Sequence, residues 1–150
     1  MKTTFLRMSA ALVALAVSAL GAARMPSAQG LPTWTSHGPE GDDVISLAIH
    51  PNTPTTLYAG TRFGGVWISV DRGANWTFGG LDNLDVQSLL IDRVAGTSGG
   101  GIFKSTNGAT SWSGFSNGLT NKDVPVVAID PLAPTTVYAG TWGGGGFVLK

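Results

Sequence analysis

Few side chains in this 150-residue chain could do chemistry. Gly114-Phe115-Ser116-Asn117-Gly118 has the Gly-x-Ser-x-Gly form of a serine nucleophile elbow, and His37 and His50 are the only histidines. An elbow holds its serine between a strand and a helix, with a histidine near enough to take the proton. The residues that follow, Leu119-Thr120-Asn121-Lys122-Asp123-Val124-Pro125, make a poor helix start, so Ser116 reads as part of a linker. His50 stands where aligned segments carry Asp92 and Asp130, which makes it a strand-end turn residue and not a metal ligand. Glycine runs at 99–101 and 143–146 lack the lysine-serine or lysine-threonine pair and the helix of a phosphate cradle. They read as tight turns between strands. There is no cysteine, which excludes disulfides, zinc fingers and thiol catalysis.

Hydrolysis of a glycosidic bond is the remaining catalytic option, and it needs two carboxyl groups with separate roles. Asp43, Asp85 and Asp123 each precede a valine that opens a strand, and Asp92 and Asp130 also correspond to one another. A residue type that returns at one repeat position is what a structural role produces. Only Glu40, Asp42 and Asp82 are acidic residues outside the recurring positions and turns.

The elements that must position these residues follow from an internal repeat. Ala48-Ile49-His50-Pro51 with Pro54-Thr55-Thr56-Leu57-Tyr58-Ala59-Gly60-Thr61 returns as Ala128-Ile129-Asp130-Pro131 with Pro134-Thr135-Thr136-Val137-Tyr138-Ala139-Gly140-Thr141. A middle copy runs from Leu89-Leu90-Ile91-Asp92 to Ala95-Gly96-Thr97, and the period is about 40 residues. Each Ala-Gly-Thr precedes a glycine-rich stretch and an apolar run: Gly65-Val66-Trp67-Ile68, Gly101-Ile102-Phe103-Lys104 and Gly146-Phe147-Val148-Leu149. Short runs of Val, Ile, Tyr and Trp punctuated by Gly, Pro and Asn predict strands. In the first unit they fall near Val44–Ile49, Thr56–Ala59, Val66–Ser69 and Asn75–Phe78. Four short strands at this period predict an all-β chain of four-stranded antiparallel β-propeller blades.

The turn between third and fourth strands carries the most specific motif. Ser69-Val70-Asp71-Arg72-Gly73-Ala74-Asn75-Trp76 recurs as Ser105-Thr106-Asn107-Gly108-Ala109-Thr110-Ser111-Trp112. A short acidic or amide side chain can accept from backbone N–H groups just ahead, glycine supplies positive φ, and the indole covers the hairpin. Asn75-Trp76-Thr77, a glycosylation triplet in form, sits inside this motif and reads as part of it. The chain here resembles the Asp-box, or BNR, repeat of sialidase-like and photosystem II assembly-factor-like propellers. The match spans roughly Trp34 to Lys150, with Ser69, Asp71, Gly73 and Trp76 complete, Asn107 in place of aspartate and Ala109 in place of glycine. Ser105, Asn107 and Trp112 carry the second copy, where Gly108 could supply the turn one position early. The resemblance implies a fold more than an activity. Sialidases use a tyrosine with an acidic partner and an arginine cluster. Here Tyr58 and Tyr138 are one repeat position, only Arg62, Arg72 and Arg93 follow the N-terminal segment, and no Phe/Tyr-Arg-Ile-Pro sequence occurs. No catalytic residue, metal or cofactor is assigned.

Counting strands gives about three blade-equivalents, with Trp34 placed like Trp76 in the fourth strand of a preceding blade. Closed propellers have roughly four to eight blades. Either two copies form a six-blade ring through open blade faces, or the reading frame is a piece of a longer gene; an alternative function is then a fragment or subunit of a sialidase-like glycoside hydrolase. Residues 1–28 read as a signal peptide: Lys2 and Arg7, an apolar run from Met8 to Leu20, then small residues, with cleavage after Gly21, Ala23 or Ala28. The apolar run is shorter than the roughly 20 residues that span a bilayer, so export to periplasm or medium with no retained span is expected. Residues 29–150 are then the propeller segment. Without Lys2, Arg7 and Arg24 it holds six basic and nine acidic residues, which argues against nucleic acid as a partner. Loops from fourth to first and from second to third strands share one face in a propeller. Glu40, Asp42, Arg62, Phe63, Asp82 and Trp142, which vary between repeats, are the candidate binding residues for a protein or glycan.

Overall fold

The computed structural model describes residues 33–40, 43–91 and 94–149. Residues 36–150 form one unit; of the unit formed by 1–35 only 33–35 are described, so the signal segment lies outside the described residues. Among the described residues eleven strands make three antiparallel sheets. The first holds β1 (Val44–Ile49), β2 (Leu57–Thr61), β3 (Val66–Ser69) and β4 (Thr77–Phe78). The second holds β5 (Val86–Leu90), β6 (Val94–Thr97), β7 (Gly101–Lys104) and β8 (Ser113–Gly114). The third holds β9 (Val126–Asp130), β10 (Ala133–Thr141) and β11 (Gly145–Leu149). Neighbours in sequence are neighbours in each sheet, the meander of a propeller blade, and the chain is a partial β-propeller. Among the described residues no helix is long and apolar enough to cross a membrane.

Two apolar layers hold the blades together. Tyr58 and Val66 of the first blade pack with Val86, Leu89 and Ala95 of the second. Val94 and Ile102 of the second pack with Val124, Val127 and Val137 of the third. Period-2 alternation makes this work, because successive side chains of a strand face opposite neighbours. In β1, Ser46 and Ala48 face the second blade, and Ser46 Oγ donates to Val86 O at 3.0 Å. The glycine of the first two Ala-Gly-Thr segments lets the next blade approach: a Cβ on Gly60 would lie 2.7 Å from Val86 O, and one on Gly96 2.6 Å from Val124 O.

Three sequence expectations change. Val124, after Asp123, opens no strand, since β9 begins at Val126. Trp34 lies in no strand. The third copy shifts by one residue: Thr141 Oγ1 donates to Gly145 O as Thr61 Oγ1 does to Gly65 O and Thr97 Oγ1 to Gly101 O. Gly145, not Gly146, therefore matches Gly65. Gly146 pairs with Gly140 as Val66 pairs with Gly60 and Ile102 with Gly96.

Candidate functional site

The two Ser-x-Asp/Asn turns brace themselves. Ser69 Oγ donates to Asp71 Oδ1 at 2.8 Å and accepts from Gly73 N at 2.8 Å. Asp71 accepts from Asn75 N at 2.9 Å and Asn75 Nδ2 at 2.7 Å. In the second turn Ser105 Oγ donates to Asn107 Oδ1 and accepts from Ala109 N, while Asn107 accepts from Ser111 N and donates to Ser111 Oγ. Arg72 and Gly73 have φ of 64° and 88°, and Gly108 and Ala109 have 76° and 66°. Both turns thus use two left-handed residues, and each puts its glycine at a different one of them. This explains how Ala109 is tolerated.

The tryptophans reach further than their own hairpins. Trp112 Nε1 donates to Gly79 O at 2.7 Å, in the link that leaves the first blade, and Trp76 Nε1 donates to Gly73 O and to His37 O. His37 therefore stands where Gly79 stands.

Hydrogen bonding by Asn75 and then Ser69 holds the Asp71 carboxyl down to about 2 from 3.8. A carboxyl with a depressed folded pKa supports the fold fully above its unfolded pKa, and that support is lost as pH falls from 3.8 towards 2. Asp71→Asn with Asn75→Ser transplants the second turn's uncharged pair. Its urea midpoint is expected to fall less than that of the parent between pH 4 and pH 2, read by tryptophan fluorescence. Parallel curves would show that Asp71 does not contribute to acid lability.

Other sequence candidates hold structural posts. Ser116 Oγ accepts from Ile102 N and donates to Ile102 O, so it closes β7 onto the linker. His50 Nδ1 accepts from Thr53 N as Asp130 Oδ1 accepts from Leu132 N and Ala133 N, two versions of one turn. Asp43, Asp85 and Asp123 accept through their backbone carbonyls from Arg62 N, Ser98 N and Trp142 N. Among the described residues no three His, Asp or Glu side chains come together as a metal site.

Arg62, Phe63 and Asp82 lie on adjoining loops, because Gly65 N donates to Leu84 O and Val66 N to Gly80 O. Trp142 lies on the matching loop of the third blade, bonded to its own incoming link through Asp123 and Asn121. Arg62 makes an open ion pair with Asp43 at 3.7 Å. Such exposed pairs contribute little. Glu40 departs from this group: it lines a cleft with Ser36, His37, Trp67, Asn75 and Trp76, in which none of the other candidates takes part. The Trp67 indole N–H beside it is buried without an acceptor. Asp42 lies outside the described residues.

Phe63 carries a feature that residue type alone did not reveal. It is 67% exposed with φ of 64°, and its counterparts two residues after the repeat threonine are Gly99 at 76° and Gly143 at 71°. Aligning Thr61, Thr97 and Thr141 would have exposed this odd residue. A bulky side chain in the left-handed region costs about 1–2 kcal/mol. With Phe63 67% exposed, little packing offsets this cost.

No family model and no curated protein matches the chain. Among solved structures it is similar to YCF48 from Cyanidioschyzon merolae, at 17% identity and a TM-score of 0.56 over 71% of this chain and 34% of that one. It is similar to an ancestral GH74 enzyme at 20% identity and a TM-score of 0.56, over 72% of this chain and 17% of that one. The chain thus spans about a third or less of the length of these β-propellers, and at such identities the likeness is one of fold.

Proposed function

We propose that the chain is an exported, noncatalytic β-propeller segment of Asp-box type that acts as a binding and assembly module for a protein or glycan partner. Phe63 carries this reading. A strained, exposed aromatic where two sister loops keep glycine points to selection for contact and not for folding. Arg62 and Asp82 on adjoining loops, with Trp142 on the equivalent loop of the third blade, supply polar and stacking partners. The charged start, apolar run and small residues of 1–28 support export. The open faces of the outer blades support association with a further propeller surface.

The test is Phe63→Gly. Relief of the left-handed strain is expected to raise stability by about 1 kcal/mol. Capture of envelope proteins by a photo-crosslinker at Arg62, and retention on an immobilised oligosaccharide panel, are both expected to drop at least roughly tenfold for a lost aromatic anchor. Lower stability with unchanged capture and retention would reject the reading. In the hydrolase-fragment alternative, a fluorogenic sialoside would be turned over and Glu40→Gln would abolish turnover.

A further inference from the structure

The outermost blades expose opposite halves of the interface already used twice inside the chain. On the third blade, Tyr138 is 43% exposed, whereas its counterpart Tyr58 is 4% exposed beneath the second blade. Val126 and Val148 extend this open face, and a Cβ on Gly146 would meet only Ala139 O, at 3.9 Å. On the first blade, Leu47 is 56% exposed, whereas its counterpart Leu89 is 7% exposed against Tyr58 and Val66. Ile49 points the same way as Leu47, by strand alternation, and is exposed, as is Val44, whose counterpart Val86 is buried beside Leu89.

Two further features fit the same occupant. β3 and β7 each pair with an outer two-residue strand, whereas β11 pairs only with β10 among the described residues. His37 accepts from Trp76 as Gly79 accepts from Trp112. By that offset Thr35 and Ser36 correspond in sequence to Thr77 and Phe78 of β4.

We propose that a second copy of this chain docks head to tail, its first-blade face on the third-blade face, twice over, closing a six-blade ring. Its Thr35–Ser36 adds the outer strand to β11, with Ser36 opposite Phe147 and Thr35 opposite Val148, the register of Phe78 and Thr77 on β3. The internal blade interfaces supply the template: Leu47 of one copy meets Tyr138 of the other as Leu89 meets Tyr58. The fit is not a bare duplicate, because the row Ser46–Gly60–Val66 becomes Val126–Gly140–Gly146, moving the bulk from the third strand to the first. The hollow that receives the partner therefore lies over Gly146. Two copies of three sheets give six blades, within the roughly four to eight of closed propellers. This inference deepens the assembly reading but uses blade faces, not the Phe63 loop, so the two can fail separately.

The experiment is sedimentation of the full chain as its host processes it, with Leu47→Glu and Tyr138→Glu, both surface changes. The parent is expected to sediment at twice the chain mass. Each variant alone is expected to be a folded monomer, with association weakened roughly 30-fold or more as for a central interface anchor. A mixture of the two variants retains one intact junction and is expected to form a one-to-one complex, which a like-to-like contact would not. Hydrogen exchange is expected to slow at 147–148 and at 35–36 in the dimer relative to either variant. A parent that stays a folded monomer, forms open polymers, or dimerises unaffected by both variants overturns the proposal. The first result would leave the faces to other polypeptide.

Discussion

Gly96→Ala is expected to cost about 3 kcal/mol or more, the upper range for overpacking, and to unfold much of the population if the fold has ordinary marginal stability. The added Cβ would lie 2.6 Å from Val124 O and 3.2 Å from the Val124 and Val127 side chains. A carbonyl cannot turn aside as a side chain can. Val124 N already donates to Thr97 O at 2.8 Å, so the two blades are pinned one residue away from the clash. Gly140→Ala is the control. It occupies the same repeat position but would meet only the Val126 side chain, at 2.7 Å, and no following blade. Its cost is expected to stay below about 1 kcal/mol. Both are compared by urea unfolding on the Leu47→Glu background, which is expected to be monomeric. Equal losses would mean that the glycine serves its own strand, and the account of blade packing would fail.

The blades were legible because their signals are local. Asp71 and Asn75 lie within one turn, so the acceptance by Asp71 from a backbone N–H just ahead is a local matter, whereas the bonds of Ser69 to Asp71 and Gly73 are not foreseen from spacing. The four strands of the first unit fall within two residues of their expected places for the same reason. What failed was degenerate or distant. Four consecutive glycines, Gly143 to Gly146, let the third copy align at more than one register, and the Thr141–Gly145 bond with the Gly140–Gly146 pairing selects one. The reason for glycine at 60 and 96 lies in the next blade, which the repeat does not display. Glu40 was grouped with the loop residues by its place in the chain, yet the link it belongs to runs past Trp67 and Trp76. The position of Phe63 was readable from the threonine alignment, but its strain is a backbone property.

Trp112→Ala carries the second large effect, an expected loss of about 3–5 kcal/mol. The ring packs with Leu81 against the buried layer of Tyr58, Val66, Val86, Leu89 and Ala109, between two blades. Its N–H donates to Gly79 O at 2.7 Å, on the link that carries the chain from one blade to the next. Trp112→Phe keeps most of the packing and removes the donor, so about 1 kcal/mol is expected from the lost hydrogen bond alone. Trp76→Ala should cost less than Trp112→Ala, because Trp76 joins neither buried layer and its long-range partner is His37 on the short 36–40 segment. Urea midpoints of the three variants, each on the Leu47→Glu background, rank these terms. If Trp76 and Trp112 proved equally costly, each indole would be bracing only its own hairpin. The ranking expected instead makes the tryptophan that ends each Ser-x-Asp/Asn turn a fastener between blades: its turn fixes where the ring starts, and the preceding link's carbonyl fixes where it ends.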